Sequence, residues 1–367
     1  MHPHKLLTTN PNTTRFNQFT QKFAAYFPVM FFFGGFLWDA LTIGRSVAVQ
    51  DLMIFAAYLL GAAIILYMIG RPSYILADDT KLPLWLNWKL KARLPYFMLQ
   101  FLFGNLLSAL FILYFKSSNH WLAWLMSLLL AAMLVANEFL ESEYRRFTLS
   151  WALFGLCAML LFNFALPFAI GSILSVWFYL STLLGAAAAH WLYTKTPNHL
   201  GSIYPVWLVA ATLMLAYAAD MVPPVPLVKR DIAMAYALKK VNGDYQLSQQ
   251  TSPWWVFWRK ASNNLEITPG QRVYCFSSVF APAGLKTRLY HRWQIHSKKQ
   301  GWVTTSHIGF SVSGGRYNGF RGYTYKQNLT AGEWRVSVET ESEKTIAVHN
   351  FTIKEAISPS AQVIQWY

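Results

Sequence analysis

The chain has 367 residues, of which 54% are hydrophobic, 17% aromatic and only 13% charged, with a formal net charge of +15. Soluble domains carry roughly 25% charged residues, and disorder needs low hydrophobicity, so composition argues against a wholly soluble enzyme and against a largely disordered chain. It points to an integral membrane protein with an attached soluble domain.

Residues 1–22 read as a cytoplasmic tail, and residues 23–222 as a helical membrane domain. A bilayer-spanning helix needs ~20 mostly apolar residues. Seven segments meet that pattern: 23–43, 52–70, 95–115, 121–140, 147–168, 172–193 and 204–221. The first lies well inside the chain and lacks a small-residue cleavage site, so it is not read as a cleavable signal. Trp85, Trp88, Trp121, Trp191 and Trp207 fall near predicted ends, as an interfacial aromatic belt requires. With the N-terminus inside, Lys and Arg concentrate in the inner segments, and the short outer loops hold only Arg45 and Lys116. Seven spans then place the C-terminal domain in the periplasm of a bacterial inner membrane. One span more or fewer returns it to the cytoplasm. The segment 84–91 mixes Trp, Leu and Lys at helical spacing, and reads equally as an interfacial helix or as a flanking loop.

Ionisable groups inside spans are the natural places for membrane chemistry. Here they are Asp39, Glu138 and His190, with Asn105, Asn137 and Asn163 as neutral polar residues. Convergence of the three ionisable groups on one cavity would indicate a transporter or lipid-modifying enzyme. Placement at helix ends would be structural. Gly34-Gly35, Gly61-Ala62-Ala63 and Gly185 with the four alanines after it fit close helix contact.

Composition shifts at Pro223-Pro224-Val225-Pro226. Residues 1–220 carry 13 Lys+Arg against 8 Asp+Glu, and residues 221–367 carry 18 against 8. Residues 223–270 read as a linker and the start of an extracytoplasmic domain. Ile232, Met234, Tyr236 and Leu238 alternate like a strand, although a short helix fits too, and Asn242-Gly243 is a hairpin turn. The aromatic cluster 253–260 is read as core packing, with insertion into the outer leaflet as the alternative.

Residues 271–367 read as an all-β, immunoglobulin-like sandwich, with strands at 272–280, 286–296, 302–312, 320–327, 333–340 and 344–354. Alternation turns Leu289, His291, Trp293 and Ile295 inward and Arg288, Tyr290, Arg292 and Gln294 outward. It likewise turns Trp334, Val336 and Val338 inward and Glu333, Arg335, Ser337 and Glu339 outward. Parity changes between Val348 and Phe351, which predicts a bulge there.

The motifs Val279-Phe280-Ala281-Pro282, His291-Arg292-Trp293, Gly314-Gly315-Arg316, Gly319-Phe320-Arg321-Gly322-Tyr323, Gly332-Glu333-Trp334-Arg335-Val336 and Phe351-Thr352-Ile353 resemble those of an uncharacterised bacterial family. That family is a C-terminal domain of unknown function found on polytopic inner-membrane proteins. The resemblance covers residues 223–355 and only weakly the membrane half. It implies an architecture and carries no catalytic residues.

Gly314, Gly315, Arg316 and Arg321 could form an anion nest with an Arg fork, extended by Arg288 and Arg292. The competing reading is a hairpin whose charges protect an edge. His291 is read as a core histidine. Cys157 and Cys275 are read as buried free thiols, since two cysteines make no disulfide scaffold. No nucleotide-binding, zinc-hydrolase or serine-hydrolase motif is present, and no cofactor or metal is implied. The favoured function is therefore a binding module rather than an enzyme. Its partners would be membrane lipids and an anionic glycan, a lipid headgroup or an envelope protein, and no nucleic acid is expected.

Overall fold

A computed structural model describes residues 49–70, 88–117, 127–134, 147–252, 255–256, 261–281, 286–313, 320–357 and 362–367. The helical half contains α1 (Val49–Ile69), α2 (Trp88–Ser117), α3 (Thr148–Ile170), α4 (Ser175–Lys195) and α5 (Tyr204–Ala218), with a 3-10 turn at Pro197–His199. Residues 127–134 are also helical.

Three helical stretches are long and apolar enough to cross a membrane: Val49–Ile69, Met98–Phe115 and Thr148–Ile170. Seven is therefore not the number these residues support. α4 has the length, but Ser175, Ser181, Thr182, His190 and Lys195 dilute its apolar character. α5 is apolar but only 15 residues long. The 23–43 segment lies outside the described residues, and only 127–134 of the 121–140 segment lie within them. Of the 84–91 segment, residues 88–91 continue into α2, whose helix includes Pro95, and the rest lie outside the described residues.

Small residues set the helix spacing. A Cβ on Gly185 would lie 2.7 Å from the Met159 Cα and backbone nitrogen, so α4 packs directly on the α3 backbone. A Cβ on Gly155 would meet Val206 of α5 at 2.8 Å. Between α3 and α4, buried Asn163 donates to Thr182 Oγ1 at 3.2 Å, which satisfies an otherwise costly polar group. Cys157 is buried in this bundle.

The C-terminal half is β-rich: β1 (Val228–Ala235), β2 (Ala237–Val241), β3 (Asp244–Gln250), β4 (Asn264–Ile267), β5 (Val273–Phe280), β6 (Lys286–Ser297), β7 (Gly301–Ser313), β8 (Phe320–Lys326), β9 (Gly332–Thr340), β10 (Thr345–Glu355) and β11 (Gln362–Trp366). All six strands expected after residue 271 are present, within two residues at each end. Residues 228–270 supply four more strands. The β2–β3 turn is at Asn242-Gly243, where φ values of 50° and 92° suit a primed hairpin turn.

Among the described residues the strands form three sheets, ordered β1-β5-β8, β4-β10-β9-β6-β7 and β11-β3-β2. The strand pattern predicts a sandwich, and the third sheet is beyond it. The third sheet arises because β1 and β5 are apolar on both faces. Met234, Val273 and Cys275 pack against Trp293, Trp334, Val336, Phe351 and Ile353 of the five-stranded sheet. Ala233, Ala235 and Phe276, on the opposite face, are covered by Leu247, Tyr245 and Tyr367. The bulge in β10 falls between Thr345 and Ala347, earlier than expected. Ile346 and Ala347 are consequently both buried.

The two halves meet through a built junction. Ile173, between α3 and α4, packs with Leu227, Val279 and Ile346. Lys344 Nζ donates to the Tyr217 and Ala218 carbonyls at the end of α5 and lies 4.7 Å over the Tyr217 ring. A cation at a helix C-terminus complements the partial negative charge there. The Thr345 N–H donates to Asp220 Oδ1 at 3.4 Å.

Candidate functional site

Three of the sequence-derived anion residues, Arg288, Arg292 and Arg321, lie within the described residues. Gly314, Gly315 and Arg316 lie outside the described residues. Arg321 turns toward the three-stranded β11-β3-β2 sheet, where it pairs with Asp244 at 2.7 Å and donates to the Gly243 carbonyl at 3.2 Å. Arg288 and Arg292 are on the outward face of β6, on the far side of the sandwich. Arg288 is exposed. Arg292 donates to Glu339 at 2.8 Å and lies 3.4 Å from Glu343.

Asp39 and Glu138 also lie outside the described residues. His190 sits on α4, where its Nδ1 accepts the Trp207 indole N–H at 3.1 Å. Asn105 donates to the Phe101 carbonyl within α2, and Asn137 is not described. Among the described residues no group of three His, Cys, Asp or Glu side chains is placed to hold a metal.

His291 faces the core. Its Nε2 lies 2.8 Å from Ser277 Oγ and its Nδ1 2.9 Å from Thr324 Oγ1, so both ring nitrogens are partnered. A Ser–His pair in contact resembles an activated nucleophile. With His291 at 0% exposure and Ser277 at 1%, however, no substrate reaches it. Burial pushes the imidazole down to about 3, well below its usual 6.5. Unfolded histidine binds a proton near pH 6.5 while folded His291 does not. Its contribution to stability is therefore complete above pH 6.5 and is lost as pH falls toward 3. Thermal unfolding should show a loss of about 2–3 kcal/mol between pH 6.5 and 4.5, and His291→Gln should remove that component. An unchanged pH slope in the variant would refute this assignment.

The outward face of the five-stranded sheet forms a groove of about 560 Å³ lined by side chains of β6, β7, β9 and β10. The register makes it: Arg292 is opposite Ser337, and Gln294 opposite Arg335. Asn350 is opposite Arg335 from the other side, and Val348 opposite Ser337. Alternation put Glu339 on this face, yet it is only 5% exposed. Burial raises its carboxyl above the usual range, and the Arg292 hydrogen bond opposes that rise. Arg335 donates to Gln294 Oε1 at 2.6 Å and lies over Trp302, its Cζ 4.4 Å from the ring centroid. Gln294 in turn donates to Thr304 at 3.1 Å. Among the described residues no carboxylate pairs with Arg335. Burial lowers its pKa, the Glu339 carboxylate opposes this, and the like charge of Arg292 adds to the fall. The groove thus offers an aromatic surface, a cation that among the described residues forms no salt bridge, and several fixed amide and hydroxyl groups. Trp302 lay outside the sequence-derived site, because its place beside Arg335 depends on strand pairing.

Residues 286–353, from β6 to β10, match a family described as a protein of unknown function, DUF2914. No curated protein matches the chain. Among solved structures, an immunoglobulin-like protein from Pseudomonas aeruginosa is 8% identical over 34% of this chain and 98% of its own, with a TM-score of 0.21. A β-glucosidase from Listeria innocua is 10% identical over 36% of this chain, with a TM-score of 0.19. One from Kluyveromyces marxianus is 11% identical over 28%, also with a TM-score of 0.19. The chain spans only 17% and 14% of those two enzymes. What the comparisons identify is a C-terminal segment similar to the DUF2914 family.

Proposed function

We propose that this protein is a bacterial inner-membrane protein whose helical half anchors a basic β domain facing the periplasm, and that the domain binds an anionic glycan of the envelope. The observation that carries the reading is Arg335, which among the described residues forms no salt bridge and lies over Trp302 in a groove walled by polar side chains. An aromatic face suits the apolar face of a sugar ring, and a guanidinium forks onto a carboxylate. Arg292, already paired with Glu339, holds Glu339 in place and leaves Arg335 as the anion contact. Anchorage is supported by the three membrane-length helices and by large apolar side chains facing outward on them, such as Phe101 and Leu60. Trp191 and Trp207, at neighbouring helix ends, are exposed as well.

The test uses a membrane-impermeant, fluorescent oligogalacturonate. Spheroplasts carrying the full chain should bind it saturably, and Trp302→Ala and Arg335→Gln should each weaken binding about tenfold, the scale of 1.4 kcal/mol. Absence of binding both to spheroplasts and to detergent-solubilised protein would overturn the glycan reading. Binding in detergent but not to spheroplasts would overturn the orientation.

A further inference from the structure

β1 carries a bulge. Its pairing with β5 steps from Lys229 opposite Val279 to Asp231 opposite Ser278, leaving Arg230 as the inserted residue. An inserted residue breaks alternation and re-aims its side chain. Lys229, Arg230 and Asp231 consequently all line one cavity of about 400 Å³, with Ser262, Asn263 and His349 among the other lining residues. Among the described residues Arg230 Nε, itself buried, has no hydrogen-bond partner. Two cations of one strand brought to one cavity repel each other, and an anion bound in the cavity would offset the charge of Lys229 and Arg230. The walls are held in place without it. The Ser262 N–H donates to the Gln250 carbonyl at 3.0 Å, the Thr352 N–H to the Asn263 carbonyl at 2.9 Å, and the Tyr367 hydroxyl to Gln249 at 3.0 Å. Burial also lowers the pKa of Lys229, with Asp231 opposing.

The cavity stands close to the helical half. Leu227, three residues before Arg230, is buried against Ile173 from the α3–α4 connection, and three extended residues span only about 10 Å. β1 also lies against α2.

We propose that this cavity is a second binding site, separate from the outward groove, and that it takes a phosphate group, either of a lipid headgroup or free in solution. Tetrahedral phosphate presents oxygens in several directions, and Lys229, Arg230, Ser262 and Asn263 all line the cavity. A planar carboxylate meets fewer of them. Asp231 offsets one of the two cations, so the lining favours an anion without demanding a highly charged one.

The test is titration of inorganic phosphate into the detergent-solubilised full chain at constant ionic strength, with acetate as comparator. Saturable phosphate binding is expected, at least tenfold weaker in Arg230→Gln and in Lys229→Gln. Should Arg230→Gln fail to fold, Lys229→Gln and Ser262→Ala carry the test. In nanodiscs, suppression of the phosphate response by phosphatidic acid identifies a lipid source, and persistence identifies free phosphate. No saturable response, an equal response to acetate, or wild-type binding by the variants would each overturn the proposal.

Discussion

Truncating Trp293 to alanine should cost the β domain about 3–5 kcal/mol, the range for large aromatic residues removed from a core. Trp293 is fully buried between the five-stranded sheet and β5, with its ring 6.3 Å from Phe351. Its indole N–H donates to Thr324 Oγ1 at 3.1 Å, and Thr324 also contacts His291. Truncation therefore opens a cavity and removes one bond from the polar cluster around His291. Trp293→Phe keeps most of the ring and should recover more than half of the loss. Chemical denaturation of the full chain in detergent, followed by fluorescence, measures both variants. A loss under 1 kcal/mol for the alanine variant would show that this layer is not the core of the domain.

The second large effect is expected in the helical half. Gly185→Val places a branched side chain where a Cβ alone would lie 2.7 Å from the Met159 backbone. Overpacking costs about 1–3 kcal/mol where side chains yield, and here the obstacle is the main chain, so the upper end or beyond is expected. Gly61→Ala is the control, since its Cβ would meet only the Leu102 side chain at an ordinary 3.4 Å. Thermal unfolding in detergent should show a large fall in Tm for Gly185→Val and little change for Gly61→Ala. Equal behaviour of the two would mean that α3 and α4 are not in direct backbone contact.

Local pattern carried the strand reading far. Alternation in β6 and β9 assigned Leu289, His291, Trp293, Trp334, Val336 and Val338 to the interior, where all six are buried. Of the residues expected at helix ends and helix contacts, Trp191 and Trp207 are exposed near helix ends, and Gly185 is buried at a helix contact. The charged residues were different. Arg321 pairs with Asp244 across 77 positions of sequence, and Arg292 with Glu339 across 47. Summed charge could not reveal which cations form salt bridges and which, like Arg335 among the described residues, form none.

Sequence by itself determined that an apolar helical half precedes a basic β-rich half, where most strands begin and end, and which residues face inward. Those properties are written in composition and in periods of two and 3.6, which neighbouring residues express together. Only the tertiary structure decided the third sheet, the position of the β10 bulge, the Arg230 bulge with its cavity, and the groove around Trp302 and Arg335. It also decided the junction at Ile173 and Lys344. Each of these depends on contacts between residues distant along the chain, and a one-residue change of register moves every side chain of a strand to the opposite face.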